Sequence, residues 1–271
     1  MNASRMEWGE RSGRMLDPVV ENFGTHRRRR NRSESVNPRR QDAQPRALIV
    51  HYSRTGHTAR LAAVLADEMR RRACHVDTET IRVERDWSLW LLPLPLLPLL
   101  PLLPLYLMSA RFRRLWHRIY PQPEQAIRPL AFPDVSAYDL VLLGTPKWLY
   151  LSFPVARWLK TARGLQGKRV ATFATFCGPP LKVFELEMLF EPLESRIRGR
   201  GATVVDRLGL SSNYHPYFSF GEMEYLFRFI SRSVFKRPLV DFTLDGEIGR
   251  AEVQRFCDTV CKNSNEMRMI E

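Results

Sequence analysis

At 271 residues the chain has room for one large domain or two small ones, and 42 lysines and arginines against 29 acidic residues give it a formal charge of +13. That charge does not point to nucleic acid: the densest basic run, Arg27 to Arg30, has no aromatic residues interleaved to stack on bases. No metal-ligand spacing and no Ser/His/Asp hydrolase motif occurs, so no metal is expected, and four scattered cysteines without a secretory signal make a reducing, cytoplasmic location the expectation.

Residues 1–45 are polar and basic with few clustered hydrophobics, which predicts a disordered arm or a translation start placed upstream of the real one. From 46 onward the pattern changes to that of a folded domain. An apolar run at 47–53 reads as a buried strand and a helix-forming sequence follows at 58–72, with Ser53-Arg54-Thr55-Gly56-His57-Thr58 between them. Strand, hydroxyl-rich turn and helix in that order build a cradle for a phosphate: turn N–H groups converge and the helix adds its positive dipole end. Ser53, Thr55 and Thr58 offer hydroxyl donors, Gly56 lets the backbone approach an anion, and Arg54 and His57 complete the loop. The spacing is neither G-x-x-x-x-G-K-[ST] nor G-x-G-x-x-G. It resembles the FMN-phosphate loop of the flavodoxin-like proteins, with Ile49, Val50, Ser53, Gly56, Thr58, Ala62 and Leu65 in the family's positions. His51 stands where the family usually has Phe or Tyr.

A second strand is expected at 74–83. It leads into an insertion at 84–134, longer than the crossover helix such a fold needs. No charge appears from Trp87 to Ala110, and prolines 93, 95, 98, 101 and 104 stand in a field of leucine. Five prolines oppose a membrane-spanning helix. The three-residue spacing suits polyproline II, whose unsatisfied carbonyls do not belong in hydrocarbon. Then Phe112, Leu115, Trp116 and Ile119 share one helical face, while Arg111, Arg113, Arg114, His117 and Arg118 take the others. A basic amphipathic helix of this kind suits an anionic lipid surface, and peripheral membrane contact through 87–119 is the expectation. The alternatives are an insert folded onto the protein as a crossover or lid, and a protein-interaction surface.

The third strand, 138–144, is followed by Thr145-Pro146-Lys147-Trp148 and a helix at 154–163. The fourth, 168–175, is followed by Phe176-Cys177-Gly178-Pro179-Pro180 and a helix at 182–199. A fifth strand at 203–211 leads to a loop with Tyr214 and His215, then an apolar and basic stretch from Met223 to Val234. A last helix at 247–262 carries Val253, Phe256, Cys257, Val260 and Cys261 as one apolar stripe, which reads Cys257 and Cys261 as buried thiols.

The βα alternation predicts an α/β domain over 46–271, a doubly wound five-stranded parallel sheet. The resemblance implies strand order 2-1-3-4-5 and FMN held by three loops at the carboxyl edge. By that resemblance Ser53 to Thr58 hold the phosphate, Thr145, Pro146 and Lys147 lead to Trp148, which stacks on the isoalloxazine, and Thr175, Phe176, Cys177 and Gly178 line the ring edge. The family usually has a Ser/Gly-rich third loop, so this one is stiffer and more apolar. Cys177 is the one cysteine near the proposed site, readable as a reactive thiol or a structural one. The implied function is an FMN-dependent oxidoreductase, as in the NAD(P)H:quinone reductases and the flavodoxin-like protoporphyrinogen oxidases of this fold. It would take electrons from NAD(P)H or a reduced protein and pass them to a quinone-like or other lipophilic acceptor. Tyr150, Tyr214 and His215 are the candidates to contact or protonate that acceptor, each also readable as a packing residue. Two alternatives stand beside it. A one-electron carrier is disfavoured by the basic charge, since flavodoxins dock through acidic surfaces. A flavin-free scaffold is motivated by the altered third loop. A homo-oligomer is left open.

Overall fold

A computed structural model describes residues 44–86, 101–119, 122–147, 151–212 and 221–268. The arm expected at 1–45 lies almost wholly outside them, as does the leucine–proline tract from 87 to 100. In chain order the elements are β1 (Arg46–His51), α1 (His57–Arg71), β2 (His75–Thr80), α2 (Leu103–Met108), α3 (Ala110–Ile119), β3 (Leu140–Pro146), α4 (Phe153–Thr161) and β4 (Arg169–Phe176). After β4 come a π-helical turn (Lys182–Glu187), α5 (Met188–Gly199), β5 (Thr203–Ser211), α6 (Gly221–Val234), a 3-10 turn (Leu239–Phe242) and α7 (Glu247–Arg268).

The five strands form one sheet in the order β2-β1-β3-β4-β5, and every pairing is parallel. The central strands are nearly continuous apolar runs because helices cover both faces of the sheet. Alternate residues serve opposite cores. Leu48, Val50, Val141, Leu143, Val170 and Ala174 face α4, α5 and the insertion. Ala47, Ile49, Leu140, Leu142, Ala171 and Phe173 face α1 and α7. The α7 stripe predicted from its spacing is buried there, and Cys74 Sγ lies 3.5 Å from Cys261 Sγ. Gly144 is required where β3 meets β4: a Cβ would fall 2.2 Å from the Phe173 ring.

The insertion departs from expectation twice. Polyproline II was the expectation through Pro104, yet Leu103–Met108 is helical, with the proline in the first turn, where its missing N–H does no harm. The second departure is that the apolar face of α3 divides: Trp116 is buried and Phe112 packs on the core, Leu115 and Ile119 are 50% and 61% exposed, and the other buried residue is Arg113 from the basic side. Arg113 donates to Glu187 Oε2 of the helical segment after β4 at 2.8 Å, and to the carbonyls of Tyr106 and Leu107 at 3.3 and 3.2 Å. These are end carbonyls of α2 that its own ladder leaves unpaired. His117 lies 3.3 Å from Glu191 and from the Tyr106 hydroxyl. Carboxylates supplied by the π-helical turn and by α5 thus hold the helix by its polar residues. No helix among the described residues is long and apolar enough to cross a membrane.

Candidate functional site

Parallel strands bring the loops after β1, β3 and β4 to the carboxyl edge of the sheet, where the strand order reverses between β1 and β3. The backbone stitches these loop bases together: Tyr52 N–H donates to the Gly144 carbonyl at 3.1 Å and Lys147 N–H to the Thr175 carbonyl at 2.9 Å.

In the first loop the Ser53 hydroxyl is enclosed and has no hydrogen-bond partner within the protein. Gly56 sits at φ +89° with nothing within 4 Å of where a Cβ would be, so the chain turns left-handed beside open space. Helix α1 starts at His57 with no side-chain cap and no acidic residue in its first turn, leaving its positive end unneutralised. Asp245, which shares a small pocket with His57, is held by both guanidinium nitrogens of Arg60 at 2.9 and 2.6 Å. Thr58, buried, is 2.8 Å hydroxyl to hydroxyl from Thr175 at the end of β4. Arg54 and Thr55 lie in the same loop, Thr55 exposed.

In the second loop Thr145 is buried and bonds the Ser152 hydroxyl at 2.8 Å, tying the loop to the start of α4. Pro146 ends β3. Lys147 turns inward. Its ammonium meets Glu185 of the π-helical turn at 2.8 Å with both side chains about 5% exposed, and lies 4.2 Å from the centre of the Phe184 ring. Burial pulls the lysine's proton affinity down and Glu185 restores part of it. Trp148 and Tyr150 lie outside the described residues.

In the third loop Thr175 and Phe176 are buried, Phe176 among the core side chains, and Cys177 is exposed. Desolvation and the nearby Glu185 push the Cys177 thiol up. Gly178 is pressed between Glu185 and Phe227, each 3.0 Å from where its Cβ would stand, and its carbonyl accepts from Ser211 at 2.7 Å. A cavity of about 350 Å3 opens beside this loop, with Cys177 and Ser212 at the sheet edge, Phe227 and Arg232 on α6, and Leu239 and Thr243 opposite. Tyr214 and His215, expected on this edge, lie outside the described residues. Ser211, Ser212 and Glu185 were not foreseen; their signal is tertiary, since each meets a partner more than thirty residues away.

A buried hydroxyl with nothing to bond, an open left-handed glycine and an uncapped helix start converge on one place. Together they fit an oxyanion with several acceptor oxygens, such as a phosphate monoester. A five-stranded parallel sheet in the order 2-1-3-4-5 with this loop at its reversal point defines the flavodoxin-like class of α/β proteins.

Solved structures of that class are similar to the chain. A flavoprotein from Lactobacillus acidophilus in complex with FMN is 18% identical, over 62% of this chain and 93% of that one, at a TM-score of 0.42. Two-electron reduced Megasphaera elsdenii flavodoxin is 13% identical over 80% and 98%, at 0.41. A Streptococcus pneumoniae flavodoxin is 11% identical over 80% and 99%, at 0.40. No protein-family model and no curated protein matches the sequence.

Proposed function

We propose that the chain binds FMN at the carboxyl edge of its sheet and works as an oxidoreductase that passes electrons to a quinone-like or other lipophilic acceptor. The observation that carries this reading is the enclosed, unpartnered Ser53 hydroxyl beside open Gly56 at the start of α1. Ser53, Thr55 and the N–H groups at Gly56, His57 and Thr58 would hold the phosphate, with Arg54 alongside. Thr145 to Trp148 and Thr175 to Gly178 would flank the ring, and the Lys147–Glu185 pair fixes the spacing between those two loops. Bound FMN supplies the hydride and electron transfer between a donor, NAD(P)H or a reduced protein, and the acceptor.

The chain's own part is to bind, orient and exclude water. The cavity between Cys177 and α6 is the place for the acceptor: Phe227 and Leu239 supply apolar wall, Ser212 and Thr243 hydroxyl groups, and its size falls within the range of small-molecule sites. Membrane contact through residues 87–119 would deliver a lipophilic molecule to that edge. The test is the visible absorption spectrum of the full chain purified in mild detergent, followed by titration with FMN. Bound flavin, or quenching of FMN fluorescence at an equivalent of protein, supports the reading. A colourless protein that leaves FMN fluorescence unchanged overturns it.

A further inference from the structure

The ten large hydrophobic side chains most exposed among the described residues fall in two short stretches of the chain. Leu102 just before α2, Leu105 and Met108 in α2, and Leu115 and Ile119 in α3 form one group; Tyr225, Leu226, Phe229 and Val234 belong to α6, with Val240 just beyond it. Elsewhere the described surface has none on that scale, and monomeric proteins rarely leave such patches uncovered.

Both stretches attach to the same part of the fold. Helix α3 is held by Arg113 to Glu187, and α6 packs Phe227 on Gly178. They therefore flank residues 178–191, the segment that leaves the carboxyl edge at the third loop. We infer that α2–α3 and α6 are two arms of a docking surface for an anionic lipid bilayer, placed so that docking presents the carboxyl edge to the membrane. This builds on the reading that the acceptor is lipophilic, and it is tested by a signal that does not involve flavin.

Charge selects this occupant. Between Asp86 and Glu124 the sequence contains no acidic residue, and Arg111, Arg114 and Arg118 are exposed around the outward Leu115 and Ile119. On α6, exposed Arg232 stands with Arg228, which is paired to Glu224, on the helix that carries Tyr225 and Phe229. An anionic bilayer satisfies both chemistries at once: apolar tips enter the acyl boundary while guanidinium groups meet headgroup phosphates. A second copy of the chain would set the exposed arginines of one α3 against those of another, which like-charge repulsion opposes. The inward turn of Arg113 and His117 is what frees Leu115 and Ile119 for this role.

The experiment is flotation of the full chain with vesicles of phosphatidylcholine alone and with about a quarter phosphatidylglycerol, at low and high salt. The expected result is binding to the anionic vesicles only, weakened by salt. Leu115→Glu with Ile119→Glu, and separately Tyr225→Glu with Phe229→Glu, should each lower partitioning by roughly tenfold per side chain. Arg111→Gln, Arg114→Gln and Arg118→Gln should lower it by roughly fivefold per arginine. Circular dichroism and FMN titration on the same variants separate loss of docking from loss of fold or of the flavin reading. Absence of binding to anionic vesicles overturns the inference, as does insensitivity of either arm to its substitutions. So does a concentration-dependent dimer that the same substitutions dissociate, since that would make the faces a contact between copies.

Discussion

Ser53 is a buried donor without an acceptor, and such a group lowers stability by about 1–3 kcal/mol until something completes it. Ser53→Ala should therefore act in opposite directions on two measurements. The urea midpoint of the ligand-free protein should hold or rise, while FMN affinity falls by about tenfold or more with the lost charge-assisted bond. Lys147 and Glu185 call for a different test. Removing one partner strands a buried charge, so Glu185→Leu should cost about 3–5 kcal/mol in denaturant unfolding, whereas Lys147→Met with Glu185→Leu should return close to wild type. His51, 5% exposed with Nδ1 unpartnered, is depressed by burial from 6.5 to about 4. A depressed histidine is neutral in the fold, so its contribution is whole above pH 6.5 and lost as pH falls toward 4, by up to about 3 kcal/mol. Replacing His51 with Phe should flatten that part of the stability–pH curve, read as unfolding midpoints across the window. Ser53 and Gly56 were legible because their meaning lies in spacing of a few residues. The Lys147 partner was not, because Glu185 is 38 positions away and reaches it through a π-helical turn that no periodicity announces.

At the scale of elements, strands were the most legible, since both-face burial writes them as apolar runs: β5 at 203–211 matches residue for residue, and β1, β3 and β4 lie within two residues of expectation. Helix α3 was legible in extent, but its apolar face divides, with Phe112 and Trp116 packed inward and Leu115 and Ile119 facing out. Its apolar spacing is real, but the facing element supplies Glu187 and Glu191, and ion pairing to a neighbour outweighs the pattern on the helix's own surface. Arg113→Met should show how far the insertion depends on that contact. It leaves two carboxylates without their guanidinium and should destabilise the protein by about 3 kcal/mol or more. In limited trypsinolysis the exposed Arg111, Arg114 and Arg118 should be cut much faster than in wild type as α3 loosens. The same short run of acidic residues, Glu185, Glu187 and Glu191, thus anchors both the second loop and the insertion.

At the scale of the molecule, a ligand that binds only the folded state adds stability by mass action. FMN at about a hundred times its dissociation constant should contribute about 2.7 kcal/mol, which for a domain of this size is a rise in Tm of about 5–10 °C. Thermal scans with and without FMN check this, with riboflavin, which lacks the phosphate, giving a much smaller shift if the first loop is the anchor. The basic charge and the placement of exposed apolar side chains have no counterpart in the fold itself, since the sheet and its two cores close without them. They were partly legible as the amphipathic stretches at 111–119 and 223–234; which side faces out came only with the partners that hold the other side in.

The bridge between Thr58 and Thr175 has one further property. Two hydroxyls joined by a single hydrogen bond own two hydrogens, and only one lies between them. The pair therefore has two polarities, with Thr58 giving or Thr175 giving. A phosphate held at the start of α1, as proposed, would be acceptor only, so by taking the Thr58 hydrogen it would leave Thr175 as the giver. The arrival of an anion at the first loop would thereby be recorded as the direction of a 2.8 Å bond at the end of β4, two residues before Cys177.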